Sequence, residues 1–229
     1  ISSIFPRRRC SETSKKEPNT VVAWLLQKYP ELENIGEEKY RAGIIHRLDR
    51  DVSGIMLAAK TQTMYQNLKD QFKKRKIKKE YLAIIYGHLS QPEGKIDIPI
   101  GRSQEGKFVA HPRKSKKKLK STDRHAVTLY RVLEKIKNFT LIQVQILTGR
   151  THQIRAHFAW FGHPIVGDKE YGPKKSSHKL FSKKIKVISA PRIMLHSHIL
   201  EFKNLDGNLK KFESPLPKEF KNFIERLKS

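Results

Sequence analysis

The run Gly43-Ile44-Ile45-His46-Arg47-Leu48-Asp49-Arg50-Asp51-Val52-Ser53-Gly54-Ile55 sets a carboxylate, Asp49, among basic residues where two apolar runs meet. A carboxylate that acts as nucleophile or base must be ionised at neutral pH, yet burial pushes its pKa above the reference of about 3.9. A nearby guanidinium reverses that push, and Arg47, Arg50 and the distant Arg155 are the candidates. Taken alone, an aspartate in a loop is more often a cap or turn residue than a catalyst. The arginines on both sides lift Asp49 above that reading.

A second donor-rich cluster is Leu147-Thr148-Gly149-Arg150-Thr151-His152-Gln153-Ile154-Arg155-Ala156-His157. It reads as a strand end, a Gly turn and a helix start, where an anion is well held. The plainer alternative is an N-cap with two exposed arginines, which suits Arg150 better than the cluster as a whole. His152 and His157 are five apart without a companion carboxylate, so the zinc-protease pattern is missing. His196 and His198 can share a strand face, and without paired cysteines they are read as structural. No metal site is expected.

Rigid elements must position these groups. Ile44 and Ile45 read as the end of one buried strand and Gly54 to Ala59 as the next, leaving Asp49 on the loop between them. Val21 to Tyr29 reads as a short buried helix ending before Pro30. From Thr61, a candidate cap, Met64, Leu68 and Phe72 recur every four residues and predict an amphipathic helix. Tyr81 to Tyr86 predicts a buried strand closed by Gly87, and the alternation across Thr140 to Leu147 predicts a half-buried one. His152 to Phe161 predicts a helix with Thr151 as its cap. Met194 to Phe202 and Asn208 to Phe212 predict a hairpin around Asp206-Gly207, and Pro217 to Leu227 a closing helix. Strands outnumber helices without regular strand–helix alternation, which predicts an α+β fold with a mainly antiparallel central sheet flanked by helices.

Residues 1–19 carry Arg7 to Arg9 and two prolines without periodicity and are expected to form a basic, flexible arm, with one catalytic domain over residues 20–229. Ile1 in place of Met leaves a trimmed, processed or targeting start open. Lys plus Arg number 48 against 22 Asp plus Glu, a net charge of +26, which calls for a polyanionic partner without choosing among RNA, DNA and acidic membrane. Three lysine-rich stretches, Lys73 to Lys79, Arg113 to Lys120 and Lys174 to Lys186, are each either a solvated surface or a phosphate-gripping loop. No run of about 18 apolar residues is present, so no transmembrane helix is expected. Cys10 is the only cysteine, which excludes an internal disulfide and suits the cytoplasm.

The string His46-Arg47-Leu48-Asp49-Arg50-Asp51-Val52-Ser53-Gly54 resembles the signature of RluA-type pseudouridine synthases, and Leu147 to Arg155 resembles that family's third motif. Lys79-Glu80-Tyr81 matches its lysine-x-tyrosine element. His163-Pro164-Ile165-Val166-Gly167-Asp168 and Arg192-Ile193-Met194-Leu195-His196 resemble later segments, so the similarity runs from about Val21 to Phe220 in the family's order. The resemblance implies a pseudouridine-synthase-like fold and an RNA uridine isomerase that needs no cofactor. It makes Asp49 the catalytic carboxylate, Arg155 its pairing arginine and Tyr81 the group stacked on the target base. Arg47 would enter the space vacated by the flipped uridine, and Arg150, His152 and Gln153 would grip phosphate or ribose.

Two departures stand out. Residues 2–19 lack the Lys-Pro-x-Gly strand segment usual before the first helix, and Val52 stands where the family more often has Thr. The S4-type RNA-binding domain that many relatives carry is not expected in this chain. The segments Tyr29 to Gly36 and Pro99 to Arg102 look most like members acting on large-subunit ribosomal RNA, with transfer RNA the alternative substrate. A monomer with no membrane partner is expected. A catalytically silent RNA-binding assembly factor and a magnesium-dependent nuclease using Asp49 and Asp51 are the competing readings. Intact Asp49, Tyr81 and Arg155 count against the first, and the arginines around Asp49 against the second.

Overall fold

The computed structural model describes residues 2–5, 20–38, 41–111, 123–173 and 187–229. The lysine-rich runs 113–120 and 174–186 lie outside the described residues, as do positions 6–19 of the expected arm. The chain divides into two compact units, residues 1–79 with 196–215, and residues 80–195 with 216–229. No shift in composition announces this division.

In the first unit, Ser2–Phe5 form a strand, β1, which pairs antiparallel with β2 at Ser53–Leu57. These four residues fall within the expected flexible arm. Helix α1 (Val21–Lys28) starts at Thr20, whose side chain accepts from the Ala23 amide, and it buries Val21, Val22 and Leu25. A 3₁₀ turn at Pro30–Asn34 follows, its Pro at the first turn where a missing N–H costs nothing. Helix α2 (Gln62–Lys73) is capped by Thr61 as expected, the hydroxyl 3.2 Å from the Met64 amide. Its apolar side turns Tyr65 and Leu68 onto Ile55, Leu57, Ala59, Ile77, Leu200 and Phe202, the core of this unit. The expected hairpin forms from β9 (Leu195–Lys203) and β10 (Leu209–Glu213), with Gly207 at φ +80° in its turn. β2 runs parallel to β9, with Ser53 opposite His196 and Gly54 opposite Ser197.

Ile44 and Ile45 do not form a strand. Ile44 makes a single bridge to Ala58, because Gly43 turns the chain at φ +69° immediately before it.

The second unit is built on antiparallel ladders. β3 (Lys78–Tyr86) pairs from Glu80 onward with β8 (Phe139–Ile146), β8 with β7 (Val127–Ile136), and β7 with β4 (Glu93–Asp97). β5 (Ile100–Arg102) and β6 (Phe108–Ala110) make a separate small hairpin. Burial alternates along β8, with Ile142, Val144 and Ile146 inward, as its period of two requires. Helix α4 (Lys218–Lys228) lays Phe220, Phe223, Ile224 and Leu227 on Ile84, Tyr86, Ile136, Phe139, Val166 and Met194. Helix α3 (Gln153–Trp160) completes the unit. The fold is α+β with a mainly antiparallel sheet, as the sequence implies.

Candidate active site

Asp49 sits in a turn that the first unit holds at several points. Upstream, the Gly43 amide donates to Ile35 and its carbonyl accepts from Ala59, each at 2.9 Å. A Cβ at position 43 would fall 2.3 Å from the Ala59 carbonyl oxygen, so only glycine allows this approach. Within the turn, the Val52 amide donates to the Asp49 carbonyl at 3.1 Å, and Asp51 takes the left-handed conformation at φ +68°. Downstream, Ser53 lies 2.8 Å from Nδ1 of His196, whose Nε2 faces the Ser214 carbonyl at 3.2 Å. A carbonyl can only accept, so Nε2 carries a proton. His198 also meets the Ser214 carbonyl, through Nδ1 at 2.8 Å. Both histidines therefore have structural partners, as read from the sequence.

His46 is a further anchor. Its Nε2 accepts from the Leu57 amide at 2.9 Å, and its ring stacks on Phe72 at 5.1 Å between centroids. Burial, with Lys79 adding to it, pushes His46 down to about 3, so the ring is neutral and free to accept. The Lys79 ammonium lies over the same Phe72 ring at 5.5 Å, and burial lowers its pKa to about 8. With Leu48 turned into the interior, Arg47 and Arg50 are left exposed on either side of a partly buried Asp49.

In the second unit, Tyr81 is buried on β3 opposite Val144, and its neighbour Glu80 accepts from Gln143 at 2.7 Å. The end of β8 leads into the turn ahead of α3. Thr151 does not cap this helix. His152 occupies the cap position in the left-handed conformation, φ +54°, with no side-chain bond of the capping kind. The side chain that stabilises the turn is Gln153. Its Oε1 accepts from the Thr148 hydroxyl at 2.7 Å and the Arg150 amide at 3.0 Å. Its Nε2 donates to the Val127 carbonyl at 2.9 Å and Thr128 Oγ1 at 3.0 Å. Gln153 is buried with its amide engaged on both ends, so it holds the turn. A Gln at a helix start gives no sequence signal of this, because its four partners come from β7 and from the turn ahead of α3.

Arg150 is half-buried, and its Nε donates to the His125 carbonyl at 3.0 Å. His157 is buried, with Nε2 on the Ile98 carbonyl and Nδ1 on Thr128, each at 2.9 Å; burial lowers its pKa. Arg155 is also buried and is held by two acids from the loop after α3. Its Nε donates to Asp168 Oδ2 at 2.7 Å, and Nη2 reaches Asp168 Oδ1 at 3.0 Å and Glu170 Oε2 at 3.1 Å. The guanidinium lies 4.8 Å over the Tyr171 ring. Asp168 Oδ1 also accepts from the amides of Glu170 and Tyr171. Among the described residues, no three His, Cys, Asp or Glu side chains are grouped to hold a metal ion.

Residues 17–160 match the family model described as RNA pseudouridylate synthase, well over half of the chain. The chain belongs to the RluA-type pseudouridine synthase family. It is 37% identical over 217 residues to Ribosomal large subunit pseudouridine synthase D of Haemophilus ducreyi, covering 92% of this chain and 62% of the relative. It is 35% identical over 189 residues to the Bacillus subtilis protein named Uncharacterized RNA pseudouridine synthase YlyB, covering 82% of this chain and 56% of the relative. The chain thus spans about 56% to 62% of the length of these curated relatives. The solved structure of Human RNA Pseudouridylate Synthase Domain Containing 4 superposes with a TM-score of 0.71 at 24% identity, covering 99% of this chain and 89% of that one. That likeness confirms the pseudouridine-synthase-like fold. Within this family, the matched span takes in Arg47, Asp49, Tyr81, Arg150, His152, Gln153 and Arg155.

Proposed function

We propose that this chain is an RNA pseudouridine synthase that isomerises specific uridines of large-subunit ribosomal RNA in the cytoplasm, as a monomer and without a cofactor. The observation that carries the reading is the family match, which runs unbroken through the Asp49 turn, the Tyr81 strand and the Arg155 helix. The ribosomal substrate is supported by relatives named for the large subunit at 34% to 37% identity. The net charge of +26 supports a phosphate-rich partner.

The reaction breaks the bond from uracil N1 to ribose C1′, turns the base and rejoins C1′ to C5, so the C5 proton is lost and N1 gains one. Bonds made and broken balance, and no oxidant or energy source enters. The target uridine must leave its stack at a cost of a few kcal/mol, and the exposed Arg47 fills the space it leaves. Asp49 is the carboxylate on which the chemistry turns, by attack or by removal of a ribose proton. Tyr81 stacks on the detached uracil, and Arg155 supplies the positive charge that favours an ionised carboxylate. Arg150 and His152 contact phosphate or ribose, with Gln153 holding their turn in place. Residues 20–229 act together as the catalytic domain.

The test is to incubate the protein with unmodified large-subunit ribosomal RNA and map pseudouridine by carbodiimide labelling and primer extension. New, discrete stops at uridines are expected. RNA that is bound but unmodified, together with transfer RNA that is modified, would replace the proposed substrate.

A further inference from the structure

Three aromatic rings in a row, with an arginine over each end, run across the second unit, and of these residues Arg155 and His152 also have roles proposed in the reaction. Arg155 covers one face of Tyr171 at 4.8 Å. The Tyr171 ring stands at 88° to His152, with centroids 5.6 Å apart and its hydroxyl 3.0 Å from His152 Nδ1. His152 meets Phe108 edge-on at 5.9 Å and 71°. The Arg102 guanidinium covers Phe108 at 4.8 Å. Glu170 ties the inner end together, 3.1 Å from Arg155 Nη2 and 3.5 Å from His152 Nδ1.

This array does not have the burial of a core. Phe108 and Tyr171 pack with one side on Ile100, Ala126 and Ala156, while both rings and His152 remain partly exposed and Arg102 is exposed. Folding for burial alone would place aliphatic side chains here and would not spend two arginines covering ring faces. Cationic planes and aromatic rings presented at a surface are what an unstacked nucleobase needs, because every base has a π face and stacking reads no sequence. His152 is held in the left-handed conformation, which aims its ring between Phe108 and Tyr171 instead of along α3.

Resting on the proposed activity, we infer that the Arg102–Phe108–His152–Tyr171 array is a stacking subsite for a nucleotide that flanks the target uridine in the substrate RNA. The flanking position follows from the array's inner end at Arg155. The outer guanidinium of Arg102 is the platform the base lies on, and Phe108 is what keeps that guanidinium flat.

The probe is a short oligo(5-iodouridylate), irradiated with the protein and mapped by peptide mass, alongside its affinity across a salt series. Tritium release from large-subunit ribosomal RNA by the wild type is measured in parallel. Crosslinks are expected on the peptides of Phe108, His152 or Tyr171. Phe108→Leu, which keeps the packing volume, and Arg102→Lys, which keeps the charge and loses the plane, should each weaken binding about five- to a hundredfold. The salt slope should not change, since no phosphate contact is removed, and Phe108→Trp should retain binding. If Phe108→Leu melts at a lower temperature, Arg102→Lys, at an exposed position, decides alone. Crosslinks confined to other peptides, with Arg102→Lys binding like the wild type while the wild type releases tritium, would overturn the subsite and leave the isomerase reading standing. A wild type that neither binds nor releases tritium would overturn both.

Discussion

Arg155 and Asp168 form a bidentate pair, with Nε to Oδ2 at 2.7 Å and Nη2 to Oδ1 at 3.0 Å, in which the Asp168 side chain has no exposed surface. The fork of the guanidinium matches the two carboxylate oxygens, so the direction of the side chain is fixed along with its charge. Asp168 is fixed in turn by the amides of Glu170 and Tyr171, 2.9 and 3.0 Å from Oδ1. The loop after α3 therefore sets the orientation of the arginine proposed to act with Asp49.

Removing Asp168 leaves a buried guanidinium with only Glu170 of these two acids. Asp168→Ala should cost about 3–5 kcal/mol of stability, as breaking one side of a buried pair does. Urea unfolding at neutral pH measures it. A loss under about 1 kcal/mol would mean that the pair is dispensable.

Gly54 faces Ser197 across the parallel β2–β9 contact at φ +122°, and an added Cβ would lie 2.1 Å from the Ser197 carbonyl oxygen. Gly54→Ala should destabilise by more than about 3 kcal/mol, through backbone strain and displacement of the ladder. A melting temperature equal to the wild type's would show that the strands part without cost.

The pH dependence of stability should carry the mark of His46. Its folded pKa of about 3 lies below the ordinary 6.5, so between those values the unfolded chain binds the extra proton. The contribution is fully present above about pH 6.5 and is lost as pH falls toward 3, a change of order 4 kcal/mol. Gln places an amide oxygen near the position of Nε2 and does not titrate. His46→Gln should therefore flatten the acid limb seen by urea midpoints at about pH 7, 5 and 4. An acid limb identical in both proteins would assign it elsewhere.

Gln153 and Arg150 should separate holding the turn from gripping RNA. Gln153→Ala strands the Thr148 hydroxyl and the Arg150 amide, and each unsatisfied buried group costs about 1–3 kcal/mol. Its RNA-binding salt slope should equal the wild type's. Arg150→Ala should fold normally and lower that slope by about one. The opposite assignment of the two effects would restore Gln153 as a direct contact.

Local chemistry explains which parts could be read from the sequence. The period of four in α2 and the period of two in β8 are burial patterns, and both elements appear where those patterns lie. Asp206-Gly207 marks its hairpin because the turn needs a left-handed residue, which Gly207 supplies. β7 was missed because its register shifts between Val132 and Glu134, which breaks the alternation. β5 and β6 have three residues each, too few to show a period. In the candidate site, Asp49 and its arginines were legible because they are adjacent in sequence. The Asp168 and Glu170 partners of Arg155 were not, because they lie 13 and 15 residues downstream on an irregular loop.

The central claim is that Asp49 isomerises uridine in RNA without a metal. Its most direct test is tritium release from large-subunit ribosomal RNA labelled at uridine C5, in EDTA, by the wild type and by Asp49→Ala. Release by the wild type alone, with RNA binding and melting temperature retained in the variant, is the predicted result. Equal release by both proteins, or none by the wild type on ribosomal and transfer RNA alike, would contradict it.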